Sequence, residues 1–421
     1  MDATSSGDNP IGRHKPAFRF VFLSVLMSAI SFSIVIPILP NLVRQLSGGD
    51  YATAAMWMML FPAAWGLAQI VSAPILGGVS DRYGRRPVLL ISSLGLGIDY
   101  ALMAIAPNLW LLLAARIVSG ATAASFSTAH AYVADITDQD NRAAFFGKLA
   151  SAISIGFMVG PVLGGWLGEI DLRLPYVAAS AATLLNVFYG WLVLPESLPA
   201  ERRADRVKIK SPFNAAGIRL LFGRGDLRSL SSISFLYSLS NMLWGSVWVL
   251  FCTHRFGWSP VGVGLATAAA GVAGIVVQTW AVGRIVARVG EKKALEIGTA
   301  VAALSLFYIA FCPDTWWYAL SIAPAAFSLL VGPGLQGLVS AAAKPDEQGA
   351  VRGGLQSLGG IATVIGPSLY GGVFAWSVSV ESSVDLTGLA VLLSSACMVV
   401  AFFIARRFSR PARIESVPAA A

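Results

Sequence analysis

The side chains in this sequence that could do chemistry are the few charged ones set inside long apolar stretches. Asp99 stands in the middle of one stretch (Gly97-Ile98-Asp99-Tyr100), and Arg116 stands in the next (Leu113-Ala114-Ala115-Arg116). Asp135 closes that second stretch, Glu296 opens a later one, and His130 is the one histidine expected within a membrane helix. A charge at the centre of a bilayer costs roughly 2.5–3.5 kcal/mol on insertion scales, so each such residue needs a reason. A carboxylate in an apolar bundle can take a proton from one side and release it to the other, or it can be the fixed partner of an ion pair. Arg116 suits three roles: pairing with a carboxylate, positioning water for proton transfer, or clamping two helices. His130 reads first as a packing residue, with titration of its imidazole near neutral pH as the second reading. No nucleophile–base set, metal-ligand spacing or phosphate-binding loop is present, which argues against an enzyme, a metal site or a bound cofactor.

Two motifs have a mechanical logic. Gly77 to Arg86 reads Gly-Gly-Val-Ser-Asp-Arg-Tyr-Gly-Arg-Arg between two apolar stretches. Glycines at 77, 78 and 84 allow a tight turn and close helix approach. Asp81 is expected against the N-terminus of a neighbouring helix, with Arg82, Arg85 and Arg86 at the cytoplasmic surface. Such a turn can latch one conformation. Gly156, Gly160, Pro161, Gly164 and Gly165 form the second motif. Small residues four apart permit close helix contact, and Pro161 removes a backbone hydrogen bond and is expected to bend its helix; ordinary tight packing is the plainer alternative.

The elements that must hold these residues follow from composition. Of 421 residues, 56% are hydrophobic and only 12% charged, against about 25% charged in a soluble domain. A membrane-spanning helix needs about 20 apolar residues. Such segments fall near 17–40, 54–77, 87–106, 109–134, 144–168 and 174–195, then 229–252, 259–283, 293–312, 315–341, 349–374 and 386–405. The expectation is an all-α membrane protein of twelve transmembrane helices in two six-helix bundles, 17–195 and 229–405. A cytoplasmic linker (196–228) joins them, and tails (1–16 and 406–421) flank them. The linker is expected to be a basic tether near the membrane surface with a short amphipathic helix around 213–222. An offset of 206 carries Gly77 onto Gly283, Gly160-Pro161 onto Gly366-Pro367 and Gly147 onto Gly353, which marks a parallel duplication. Ala287 takes the place of Asp81 in the copy, so the latch should be stronger in the first half.

The net charge of +8 is a topology signal and does not point to nucleic acid. All Lys and Arg except Arg44, Arg116, Arg173 and Arg255 lie in the tails, the linker or alternate loops. By the positive-inside rule both termini are cytoplasmic. No cleavable signal peptide is evident. Cys252, Cys312 and Cys397 lack metal or redox spacing; inert packing is preferred over a disulfide between the first two.

Gly77…Asp81-Arg82-Tyr83-Gly84-Arg85-Arg86 resembles the loop signature of the major facilitator superfamily. Gly156-xxx-Gly160-Pro161-xx-Gly164-Gly165 resembles its antiporter motif, and Arg116-Ile117-Val118-Ser119-Gly120 its fourth-helix arginine motif. More narrowly the chain resembles bacterial tetracycline/proton antiporters, through Ala73–Leu90, Asp99-Tyr100, Tyr132–Thr137, Leu194-Pro195-Glu196-Ser197, Arg255-Phe256-Gly257-Trp258, Leu335-Gln336-Gly337 and Glu347-Gln348-Gly349. The resemblance implies drug export driven by inward proton flow, in a bacterial inner membrane, with the proton gradient as energy source. It implies that Asp99 is a coupling or substrate-linked carboxylate and that Arg85 pairs with Asp135. It also implies that Gln69, Gln278 and Gln336 face a central cavity.

Two departures bear on the substrate. Ser28 and Ala302 stand where that family carries acids, so a cationic metal–tetracycline complex would lose electrostatic partners. Glu296 is the alternative acid on the same helix as Ala302, nearly two turns away. Trp244 and Trp248, four apart with Asn241 just before them, could form a stacking wall for an aromatic compound; lipid-facing or core tryptophans are the equal alternative. The reading adopted is a monomeric, proton-coupled carrier in membrane lipid, exporting small amphipathic compounds by alternating access. The competing readings are a metabolite carrier that does not use Asp99 for protons, and a receptor or scaffold that transports nothing.

Overall fold

The computed structural model describes residues 10–137, 139–207, 214–344, 346–380 and 385–408. Both tails beyond these limits, and the linker between 207 and 214, lie outside the described residues. Helices follow one another with no strand among the described residues. The first eight are α1 (Pro10–Ser33), α2 (Leu39–Leu46), α3 (Tyr51–Tyr83), α4 (Arg85–Ile105), α5 (Leu109–Ala121), α6 (Ser125–Ile136), α7 (Gln139–Ile170) and α8 (Leu174–Val193). Then come α9 (Ala215–Gly223), α10 (Gly225–Ser246), α11 (Trp248–Phe256), α12 (Pro260–Val276), α13 (Gly283–Ala310), α14 (Thr315–Ala326), α15 (Val331–Ala342), α16 (Gln348–Ser379) and α17 (Leu389–Arg407).

Local chemistry sets many of the boundaries. Asp50 caps α3 by accepting from Ala52 N and Thr53 N, Asn108 caps α5 through Leu111 N, and Asp314 caps α14 through Trp316 N and Trp317 N. Between α3 and α4 the chain turns at Gly84, with φ 105° and ψ 168°. Within α13 the same turn occurs at Gly290, with φ 81° and ψ 164°. Only glycine enters that region without strain. These two residues are 206 apart, the duplication offset, so the backbone repeats the feature the sequence repeats. The Gly77-Gly78 pair lies inside α3, and Gly84 alone makes the turn.

Several expected single spans are broken helices. The 17–40 segment is α1, reaching back to Pro10, followed by a non-helical stretch containing Pro37 and then α2. The 229–252 segment is α10 and α11, bent by 54° at Val247. The 315–341 segment is α14 and α15, joined by a 3₁₀ turn just after Pro324. Conversely, the segments at 259–283 and 293–312 fall in one helical run, Pro260–Ala310, interrupted by the glycine turn at 290. Nine helices among the described residues are long and apolar enough to cross a membrane, or ten with the bent pair counted as one span.

The chain forms two compact units. The first comprises Met1–Pro212 with Val247–Val272, and the second Phe213–Ser246 with Ala273–Ala421. In the first, α1 packs on α7 and α8, and α4 packs on α8 and on α5 and α6. In the second, α10 packs on α16 and α17, and α13 on α17 and α15. The pairing pattern is the same in both. A core of Phe18, Phe20, Val21, Val25, Tyr132 and Leu149 joins α1, α6 and α7. Outward faces stay apolar, as with Leu185, Phe188 and Trp191 on α8, which suits contact with lipid.

Candidate functional site

Asp99 and Arg116 meet inside the first unit, brought together by α4 and α5. Asp99 is fully buried and the Arg116 side chain 11% exposed. Arg116 Nε donates to Asp99 Oδ1 at 3.2 Å, its Nη2 donates to Asp99 Oδ2, and the same Nη2 lies 2.9 Å from Met103 Sδ. The guanidinium sits 6.0 Å from the Tyr100 ring centroid. This is a two-pronged ion pair in a dry interior, the geometry in which guanidinium and carboxylate bind most strongly. The hydroxyls of Tyr100 and Tyr176 are buried without a hydrogen-bond partner.

The second cluster lies where α3 turns into α4. Arg85 Nη1 donates to Asp81 Oδ1 at 2.5 Å and to Ser80 Oγ at 3.1 Å, and Arg85 Nε donates to Asp135 Oδ2 at 3.0 Å. Asp135 also accepts from Ser197 Oγ at 3.2 Å. The Arg85 side chain is only 13% exposed, so it sits inside the cluster and not at the surface where it was expected. Arg82 is exposed beside the Tyr83 ring, and Arg86 Nη2 donates to the Trp191 carbonyl at 2.5 Å.

The helix N-terminus expected to hold Asp81 is occupied, at α4, by another acid. Glu196 accepts from Arg85 N at 2.8 Å and Arg86 N at 3.2 Å, and closes its own loop through Ser197 N and Leu198 N. A carboxylate there satisfies two orphan N–H groups and complements the helix dipole. The sequence reading saw Glu196 only within Leu194-Pro195-Glu196-Ser197. The one signal for its role is an acid just after a Pro that ends α8. Tyr132 adds to the tie by donating to the Pro195 carbonyl at 2.9 Å.

On α7 the glycines are spaced for contact. A Cβ on Gly156, Gly160 or Gly164 would run into Ala29, Ser33 or the Ile34 carbonyl of α1. Ser33 Oγ also donates across to the Gly156 carbonyl at 2.8 Å. Gly165 meets the start of α12, where its Cβ would fall 2.6 Å from the Pro260 carbonyl oxygen. Pro161 lies within an α7 that stays continuous to Ile170.

The remaining sequence candidates fall in both units. Gln69 is half-buried on α3. His130 Nδ1 is 2.8 Å from the Phe126 carbonyl and its ring packs 5.6 Å from Phe146, in keeping with the packing reading. Trp244 and Trp248 do not share a continuous helix. A bend falls between them at Val247; Trp244 is 40% exposed, and Trp248 is buried beside Phe251. Asn241 donates to the Tyr237 carbonyl on its own helix. Gln278 and Gln336 are both exposed, and Gln278 lies in a π-helical turn, Val277–Val282. Such turns concentrate at functional positions, and nothing in the residue pattern announced this one.

Ser28 and Ala302 are both buried, at 5% and 7% exposure. Glu296 pairs with Lys292 one turn back at 3.6 Å, near the glycine turn, and so does not replace the acid missing at 302. The three cysteines are free thiols. No group of His, Cys, Asp and Glu that could hold a metal ion is found among the described residues.

A duplicated all-helical membrane chain with a buried ion pair and a charged cluster at its glycine turn has the features of a solute carrier. The major facilitator superfamily model matches residues 21–236 and again 230–420, and the chain belongs to that superfamily. It is 36% identical over 385 residues to the class C tetracycline resistance protein of Escherichia coli, covering 91% of this chain and 95% of that protein. It is 30% identical to the class H tetracycline resistance protein of Pasteurella multocida, covering 94% and 98%. Among solved structures, the nucleoside transporter NupG aligns over 93% of this chain and 98% of its own, with a TM-score of 0.75 at 12% identity. The human organic anion transporter MFSD10 gives 0.66 at 24% identity, over 93% and 99%. At those identities the two structures share the fold alone.

Proposed function

We propose that this chain exports small amphipathic or aromatic compounds in exchange for protons, by alternating access, as a monomer in a bacterial inner membrane with both termini cytoplasmic. The observation that carries the reading is the buried Asp99–Arg116 pair. A proton on Asp99 cancels the attraction that holds Arg116, so loading the proton and freeing the guanidinium are linked steps. The cluster of Asp81, Arg85 and Asp135, with Glu196 behind it, serves as the cytoplasmic latch. The stripe of Gly156, Gly160, Pro161, Gly164 and Gly165 lets α7 lie close against α1 and the start of α12.

Tetracycline-like drugs are candidate substrates because of the relatives' names. Uncharged, buried Ser28 and Ala302 favour a weakly charged aromatic compound over a cationic metal chelate. Gln278, Gln336, Asn241 and Trp244, all exposed, are the side chains proposed to meet it, with Gln69, His130 and Trp248 as further candidates. The competing reading, a metabolite carrier whose Asp99 stays permanently paired, draws support from how completely that pair is buried.

The test is proton release from acid-loaded inside-out vesicles on adding tetracycline with a divalent metal, or one of several aromatic drugs. Wild type is compared with Asp99→Asn at equal inserted amount. Drug-dependent release that disappears in the variant supports antiport through Asp99. No release with any compound from inserted wild type refutes drug efflux.

A further inference from the structure

The face that α8 turns toward the rest of the first unit is polar. Tyr176, Ser180, Thr183 and Asn186 follow one another at helical spacing and are all buried, while Leu185, Phe188 and Trp191 are exposed. This face lies against α4. Ser180 Oγ donates to the Gly97 carbonyl at 3.0 Å, and a Cβ on Gly97 would stand 3.6 Å from the Thr183 methyl group. Two membrane helices need only small residues to pack closely. This seam nevertheless carries the hydroxyls of Tyr100, Tyr176 and Thr183 and the Oδ1 of Asn186, all buried and without a hydrogen-bond partner among the described residues. Other helical threonines, Thr267, Thr299 and Thr363, donate to the carbonyl four residues back, and Thr183 does not.

At the Leu194 end of the seam is a cavity of about 10 Å³, lined in part by Ser24 of α1, Ser93 of α4, Asn186 and Leu194. That is room for one water molecule, which needs two to four polar partners, and three of these side chains supply them. Asn186 is 4% exposed, and its Nδ2 donates to Ser24 Oγ at 2.8 Å, which leaves Oδ1 to accept from the water. Leu194 is two residues before Glu196, at the head of α4, so this end is the cytoplasmic one on the topology proposed above.

We propose that the α4–α8 seam is a proton route: a water held by Ser24, Ser93 and Asn186 forms its foot, and water bridging the Thr183, Tyr176 and Tyr100 hydroxyls carries it up to the Asp99–Arg116 pair. The route deepens the carrier reading and rests on it. From Asn186 to Tyr176 is about 15 Å along α8, half the thickness of a bilayer core. Tyr100 follows Asp99 on α4 and its ring lies beside the Arg116 guanidinium, so the track ends at the pair. The closed pair itself stays dry, because Arg116 takes up both Asp99 oxygens. When a protonated Asp99 closes again on Arg116, its proton passes to the neighbouring water. Each water or hydroxyl then accepts one proton and hands on its own. One proton leaves beside Leu194, and no group in the seam keeps a charge. All of these residues belong to the first unit, so the route is complete within it.

Three measurements test the route. The first is X-ray hydroxyl-radical labelling of the purified full-length chain, read by peptide mass spectrometry, each rate divided by that of the unfolded chain. Tyr100, Tyr176 and Phe61 are all fully buried, so a ring among them is labelled only by a water beside it. The two tyrosines should be labelled severalfold faster than Phe61. The second is the melting temperature of Thr183→Val, a near-isosteric change. Loss of a hydrated hydroxyl lowers it by about 1–6 °C, whereas loss of a dry one does not lower it, because an unmet polar group is removed. The third is drug-dependent proton release from acid-loaded inside-out vesicles, which should be slower in Thr183→Val and Asn186→Leu at equal drug binding. Tyrosines labelled no faster than Phe61, or a Thr183→Val variant that melts at or above wild type, overturn the bound water. Wild-type release in both variants overturns the route. If inserted wild type releases no protons with any compound, the efflux reading fails and the route with it, while labelling and melting still decide the water.

Discussion

Asp99→Asn should cost this protein far more than one hydrogen bond. Asn keeps the shape but removes the charge that faces Arg116, whose side chain is 11% exposed and whose Nε and Nη2 both point at Asp99. Breaking one side of a buried pair costs about 3–5 kcal/mol, because the remaining charge stays desolvated. At about 2–4 °C per kcal/mol for a unit of this size, the melting temperature in detergent should fall by about 6–20 °C. Unfolding can be followed with a thiol-reactive dye, which meets Cys252 and Cys312 only when the buried thiols are released. The control is the double variant Asp99→Leu with Arg116→Met, which removes both charges. It should recover most of the loss, since apolar replacement of a whole buried pair is often neutral. Its exchange of protons should nevertheless be gone, which separates stability from coupling. A single variant melting within about 2 °C of wild type, or a double variant no better than the single, refutes the claim that these charges depend on each other in a dry interior.

Three further outcomes follow from contacts already described. Gly164→Ala should destabilise by about 1–3 kcal/mol, because its Cβ meets the Ile34 backbone carbonyl, whereas Gly77→Ala should be neutral or stabilising because that position is open; melting temperatures decide both. Glu196→Ala leaves Arg85 N and Arg86 N without their acceptor and should cost about 0.5–2 kcal/mol, while Glu196→Gln, which keeps an acceptor, should cost less in the same measurement. Gly290→Ala forces a Cβ into a glycine-only conformation at about 1–3 kcal/mol, and Gly84→Ala should cost more because its Cβ also collides with the Glu196 carboxylate.

The helical class, the duplication and the Arg85–Asp135 pair were legible because each leaves a local trace: an apolar run, a repeated spacing, a motif. What stayed hidden depends on where helices break. The 54° bend at Val247, just after Gly245-Ser246, sets Trp244 and Trp248 on two helices where their spacing of four suggested one. Gly290 turns the chain inside a helical stretch of 51 residues, at the charged segment that already divided the two apolar segments in the sequence. Glu196 is 111 residues from Arg85, and no spacing rule connects a loop acid to a helix start that far away. The burial of Arg85 was missed for a related reason: positive-inside counting treats every cytoplasmic arginine as surface charge, while Ser80 and Asp81 on α3 and Asp135 on α6 draw this one inward.

The two halves differ most where their backbones agree best. Gly84 and Gly290 hold nearly the same dihedral angles at the same point of the repeat, so the turn itself is retained in both. The chemistry around it is not. Ala287 stands for Asp81, and Glu291 stands for Arg85, reversing the charge that the first-half cluster is built around. The Glu291 side chain lies against α15, where a Cβ on Gly337 would collide with its carboxylate. The first-half turn carries Arg85 paired with Asp81 and Asp135, and the second-half turn carries the Lys292–Glu296 pair at 3.6 Å, so the charges at the two turns are arranged differently. Neutralisation of Asp81 therefore removes an ion pair whose counterpart position in the second half, Ala287, carries no charge. On the proton-coupled reading proposed above, this difference would let a protonation event act on one half before the other.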